Sequence, residues 1–179
     1  WAKPSKKLLE PRLYSESTMS TLPTIPHLIN GQRVAGGSRA QDVFNPATGH
    51  AEKRVLLADK ATVEQAIASA QAAYPAWRAT PPLKRARVMS NLKVLLEQHA
   101  DELCALVTAE HGKVLADALG ELQRGIENVE YASYAPELLK GEHSKNVGPA
   151  IDSWSEFQAL GVTAGITPFN FPVMVPMWM

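Results

Sequence analysis

Thr167-Pro168-Phe169-Asn170-Phe171-Pro172 sets one amide side chain between two aromatics and two prolines, near the carboxyl end of a 179-residue chain. Each proline locks its own φ and has no amide to satisfy, so the turn is stiff. An asparagine held this way offers an NH2 group with two donors. A rigid donor at a strand end can stabilise charge developing on an oxygen, as when a nucleophile adds to a carbonyl. Asparagine also favours turns through its own local hydrogen bonds, so the residues alone leave a purely structural Asn170 open.

Arg124, in Leu122-Gln123-Arg124-Gly125-Ile126, is a second candidate. A guanidinium binds a carboxylate through two parallel hydrogen bonds, and Leu122 and Ile126 place it on a half-buried helix surface. The alternative is a surface arginine paired with Glu121 or Glu127. Cys104 is the chain's single cysteine. It lies in an apolar helical stripe with Leu103 and Val107 and reads as a core residue. One thiol permits no disulfide within the chain, which suits a reducing compartment. His27, His50, His99, His111 and His143 show no metal-ligand spacing, so no metal is expected.

The elements that must position these residues follow from periodicity. His27–Val34 and residues 41–58 read as hairpins, the first around Asn30-Gly31, where both residues tolerate positive φ. From Asp59, a helix N-cap, the period lengthens to that of a helix. Val63, Ile67, Ala70, Tyr74 and Trp77 form its stripe. Pro81-Pro82 ends it and opens a second helix, in which Val88, Leu92, Leu95 and Leu96 face inward. A third runs from Asp101 and ends with Glu110-His111-Gly112-Lys113. A fourth spans 115–139 and carries Leu119, Leu122, Ile126, Val129 and Tyr134. Residues 140–156 read as an exposed loop. Residues 157–168 read as a buried strand delivering Asn170 to its carboxyl end, where open α/β sheets place ligands.

Composition narrows the function. Lys plus Arg and Asp plus Glu each number 18, which implies no basic face for nucleic acid and no acidic tail. The C-terminal apolar stretch is broken by Thr167, Asn170 and three prolines, so it is no membrane span. Residues 1–18 are mixed and basic with no apolar segment, unlike a signal peptide. They read as upstream or appended sequence before a start at Met19, or as the remnant of a transit peptide.

The segment 165–179 resembles the Thr-Pro-x-Asn-x-Pro region of aldehyde dehydrogenases. Residues 110–142, with "RGIENVEYA", are similar to the CoA-acylating methylmalonate-semialdehyde dehydrogenases. "HLINGQRV", "FNPATG" and "AAYPAWRATPPLKRARVM" follow in the expected order, so the resemblance covers 27–179. It implies an α/β fold: β hairpins and helices (19–179) leading into a Rossmann-like NAD-binding domain, here incomplete. It also implies that Asn170 supplies the oxyanion donor and that Arg124 holds the substrate carboxylate. The backbone of Thr167 and Phe169 would lie against the nicotinamide end of NAD. A cysteine nucleophile and an acidic base would come from beyond Met179, leaving this piece inactive alone. The apolar run 173–179 would lack partner strands and stay uncovered, so the isolated piece is also expected to aggregate or depend on a partner. The implied reaction oxidises methylmalonate or malonate semialdehyde with NAD, passes the acyl group to coenzyme A and loses CO2, in valine or inositol breakdown. The complete protein would be a homo-oligomer, a tetramer. It would be cytoplasmic, or in the mitochondrial matrix of a eukaryote. Ala159 departs from the family, where a proline is expected before Leu160-Gly161. Two other readings remain: a hydrolytic aldehyde dehydrogenase using water as acceptor, and a truncated, non-catalytic binding module.

Overall fold

Asn30 and Gly31 both take positive φ, 51° and 71°, and reverse the chain between β2 (His27–Ile29) and β3 (Gln32–Val34). The pair is antiparallel, with His27 opposite Val34 and Ile29 opposite Gln32. These coordinates belong to a computed structural model that describes residues 22–179; the expectation for residues 1–18 lies outside them. The second hairpin joins β4 (Ala40–Phe44) to β5 (Ala51–Leu56). Its turn is closed by the Gly49 amide donating to the Asn45 carbonyl at 2.8 Å. A short β1 (Thr24–Ile25) adds a parallel strand to β5, giving a sheet of order β1-β5-β4.

Four helices follow, with boundaries largely set by their end residues. Asp59 caps α1 (Lys60–Ala79), accepting from the Thr62 amide at 2.8 Å. Pro81 and Pro82 separate it from α2 (Pro82–Gln98), whose first turn tolerates a proline because that amide would be free anyway. Gly112, at φ 85°, ends α3 (Ala100–His111) in the left-handed cap that glycine adopts without strain. The fourth helix is shorter than its sequence suggests. α4 spans Leu115–Ala132, and a separate single turn, α5 (Ala135–Leu138), begins just before Pro136.

The core sits on α4. Leu96, Cys104, Val107, Ala118, Leu122, Ile126 and Val129 form one buried cluster, with Met89, Leu92 and Leu103 packed against it. Leu122 is 1% exposed, and burying such a side chain contributes about 1.5–3 kcal/mol. Several residues expected inside are not. Val63, Ile67 and Trp77 on α1, Val88 and Leu95 on α2, Leu119 on α4 and Tyr134 all stand exposed. Periodicity identifies an apolar stripe but not whether another element covers it, and among the described residues none does.

Two expectations for the chain after α5 require correction. Residues 140–156 are not a loop: β6 (His143–Gly148) and β7 (Ile151–Trp154) form an antiparallel hairpin. Its charged and Gly-Pro-rich composition hid the strands, since a ladder needs only backbone groups. Asn146 and Ala150 take positive φ there, at 55° and 58°. Residues 157–168 form no strand and are not buried. Leu160 and Ile166 are 95% and 96% exposed, and no described segment lies beside them to complete a ladder. The Tyr74 hydroxyl donates to the Ala159 carbonyl at 3.2 Å, tying this stretch to α1. Among the described residues, no helix is long and apolar enough to cross a membrane.

Candidate active site

The Thr167–Pro172 motif does not float free, because α4 holds the turn that follows it. Residues 169–173 turn into α6 (Met174–Trp178), which packs on α4 through Met174 and Met177. Gly125 makes the close approach possible. A Cβ there would meet Met177 Cγ at 3.3 Å and Met174 Cα at 3.4 Å.

Glu121 is the polar centre of this contact. Its side chain is 0% exposed. Lys113 Nζ donates to one carboxylate oxygen at 2.5 Å. The amides of Val173 and Met174 donate to the other at 2.7 and 3.2 Å. The carboxylate thus satisfies two amides that the start of a helix would otherwise leave without partners. Lys113 also donates to the Asn170 backbone carbonyl at 2.7 Å, and its Nζ lies 4.1 Å from the centroid of the Phe171 ring. Burial opposes ionisation of Glu121. The Lys113 hydrogen bond, the two amides and the Lys113 charge outweigh it and hold the carboxyl below its ordinary value. Removing one partner from such a buried pair strands a charge and costs about 3–5 kcal/mol.

Acid sensitivity follows. Because the folded-state value is depressed, the stability from Glu121 ionisation is fully present above an unfolded value of roughly 4.3. It is lost as pH falls through the lower folded value. In the complete protein, melting temperature should therefore fall more steeply on acidification below about pH 5 in wild type than in Glu121→Gln. Parallel melting profiles would show that Glu121 is not ionised in the fold.

The structure brings Arg124 to the same turn. Its guanidinium carbon lies 5.5 Å from the Phe171 ring centroid, and its Nε donates to the Gly120 carbonyl at 3.1 Å. Glu121 is engaged by Lys113 instead, and among the described residues neither Glu121 nor Glu127 forms an ion pair with Arg124. Asn170 is exposed, and among the described residues no hydrogen bond engages its side-chain amide. Thr167 is exposed and Phe169 is 87% exposed. Their backbone groups likewise make no hydrogen bond among the described residues. Cys104 lies elsewhere, 5% exposed in the core. Burial, then the Asp101 and Glu121 charges, push its thiol up and keep it protonated. Among the described residues, no group of side chains suits a metal ion.

Glu121 and Lys113 are the residues that sequence reasoning missed. Glu121 was legible only as a possible partner of Arg124, and Lys113 only as the end of a helix. One signal was available: Ala118, Glu121, Leu122, Gly125, Ile126 and Val129 share one helical face. A carboxylate in that phase must be paired to be buried.

The aldehyde dehydrogenase family profile matches residues 34–179. A malonate-semialdehyde dehydrogenase of Pseudomonas aeruginosa is 62% identical over 156 residues, 87% of this chain and 31% of that protein. A Dictyostelium discoideum protein, described as an acylating, mitochondrial methylmalonate- and malonate-semialdehyde dehydrogenase, is 40% identical over 180 residues, covering 100% of this chain and 34% of its own length. The crystal structure of a methylmalonate-semialdehyde dehydrogenase from Oceanimonas doudoroffii superposes with a TM-score of 0.87 at 71% identity, covering 88% of this chain and 32% of that one. A Sinorhizobium meliloti structure, described as a methylmalonate-semialdehyde dehydrogenase in complex with NAD, gives 0.86 at 46% identity and covers 89% and 33%. The chain thus spans about a third of the length of these relatives. The profile match over most of the chain, with the shared fold, makes it a member of the aldehyde dehydrogenase family.

Proposed function

We propose that this chain contributes the oxyanion donor and the carboxylate clamp of an oxidoreductase. The enzyme is an NAD-dependent, CoA-acylating dehydrogenase of methylmalonate and malonate semialdehyde. The supporting observation is that Arg124, without an acidic partner among the described residues, lies with its guanidinium carbon 5.5 Å from the ring of Phe171, the residue that follows the exposed Asn170, whose side-chain amide is engaged by no hydrogen bond among the described residues. A substrate with an aldehyde at one end and a carboxylate at the other needs both kinds of group.

In this reading a cysteine thiolate outside this chain adds to the aldehyde carbon, and the Asn170 amide donates to the oxygen that becomes negative. Cys104, buried and protonated, takes no part. Arg124 holds the carboxylate bidentately. The backbone at Thr167 and Phe169, without hydrogen bonds among the described residues, fits the nicotinamide end of NAD, which when bound supplies the hydride acceptor. Overall, methylmalonate semialdehyde, CoA and NAD+ give propionyl-CoA, CO2 and NADH; malonate semialdehyde gives acetyl-CoA. The thiol proton of CoA replaces the lost carboxylate on the α-carbon. The exposed apolar side chains of Val147, Ile151 and Trp154 on the β6–β7 hairpin support a homo-oligomer, since an isolated hairpin is marginally stable. The reaction is assigned to the cytoplasm, or to the mitochondrial matrix in a eukaryote.

The test is the complete protein assayed for NADH formation from methylmalonate semialdehyde with and without CoA. Turnover should require CoA and yield propionyl-CoA and CO2. CoA-independent turnover that releases a free dicarboxylic acid would instead identify water as the acceptor.

A further inference from the structure

Asn170 can act as a donor only if its backbone is fixed, and its own prolines do not fix where the turn sits. Two contacts do. Lys113 Nζ holds the Asn170 carbonyl at 2.7 Å, and Glu121 Oε1 holds the amides of Val173 and Met174. The two side chains are themselves joined at 2.5 Å, with Glu121 0% and Lys113 14% exposed. Lys113 stands between α3 and α4 and Glu121 within α4, so the turn is referenced to the helical core rather than to the exposed segment before it.

We infer that Lys113 and Glu121 are positioning residues for the proposed reaction, a two-point clamp that sets the Asn170 amide at the developing oxyanion. The inference rests on the reading of Asn170 as the oxyanion donor. Neither residue touches substrate or cofactor; both act through the backbone at 170 and 173–174. A donor that must lie within hydrogen-bond distance of the transition-state oxygen tolerates little displacement, and a misplacement of about 1 Å costs on the order of 10²-fold in rate.

The experiment is a double-mutant cycle in the complete enzyme between Asn170→Ala and the paired change Lys113→Met with Glu121→Gln. The paired change leaves no unpaired buried charge, and the glutamine oxygen can still accept from the Val173 and Met174 amides. The paired change should lower kcat by roughly 10–10²-fold, with the KM for semialdehyde little altered. In the Asn170→Ala background it should lower kcat by less than about twofold, because residues acting through one group are not additive. Lys113→Arg, which keeps a cation able to reach both oxygens, should recover most of the loss; a role in packing alone would not be rescued by the larger side chain. Full additivity with a slow Asn170→Ala enzyme would overturn the positioning role and leave the donor intact. An Asn170→Ala enzyme with unchanged kcat would remove the donor itself, and the inference with it. If the paired variant does not fold, Lys113→Gln runs the same cycle with a neutral donor left for Glu121, and the same two outcomes decide.

Discussion

Asn170→Ala in the complete enzyme should lower kcat by roughly 10²–10³ for methylmalonate semialdehyde and for propanal alike. An oxyanion donor acts where charge develops, whatever the substrate carries at its other end, so the loss should not depend on the carboxylate. The folded state should hardly notice the change. The Asn170 side chain is exposed and makes no described hydrogen bond, and a surface substitution of this kind shifts stability by no more than about 0.5 kcal/mol. Its backbone carbonyl, which Lys113 holds, is still present in alanine. Kinetics of the two aldehydes and a melting curve together decide the matter. A kcat loss that tracks a fall in melting temperature would return Asn170 to its alternative role as a turn former.

Arg124→Ala should separate the two aldehydes. A hydrogen bond to a charged group is worth about 1.5–3 kcal/mol. The KM for methylmalonate semialdehyde should therefore rise by roughly 10–150-fold relative to that for propanal, at about 1.4 kcal/mol per decade. Arg124 also lies over Phe171, and a cation over an aromatic face at an exposed site contributes about 0.5–1 kcal/mol. That smaller part is lost to both substrates and cancels in their ratio. Arg124→Lys keeps the charge but loses the planar fork, so it should fall between wild type and alanine in selectivity. Equal losses for both aldehydes would make Arg124 a support for Phe171 and would leave the semialdehyde assignment without its physical basis in this chain.

Features governed by one or a few adjacent residues were legible in the sequence. Asn30-Gly31 dictated a reversal because both residues accept positive φ, and the hairpin formed there. Asp59 dictated the start of α1, Pro81-Pro82 its end, and Gly112 the end of α3. The Thr167–Pro172 motif and its neighbours were enough to point to the family that the profile match shows. What the sequence left open depends on partners distant along the chain. The stripes of α1 and α2 were visible, but whether Val63, Ile67 or Val88 is covered is a property of whatever packs there, and nothing described does. Residues 157–168 have strand-like composition, yet a strand exists only beside another, so they form no strand and remain exposed. The β6–β7 hairpin formed despite a loop-like composition, because ladder bonds are made by backbone groups common to every residue except proline. Glu121 shows the division most clearly. Its helical phase comes from the sequence, but its burial and its ionised state depend on a lysine eight residues before it and two amides more than fifty residues after it. Folding alone brings those groups within hydrogen-bond distance, and a buried carboxylate is tolerable only where they meet.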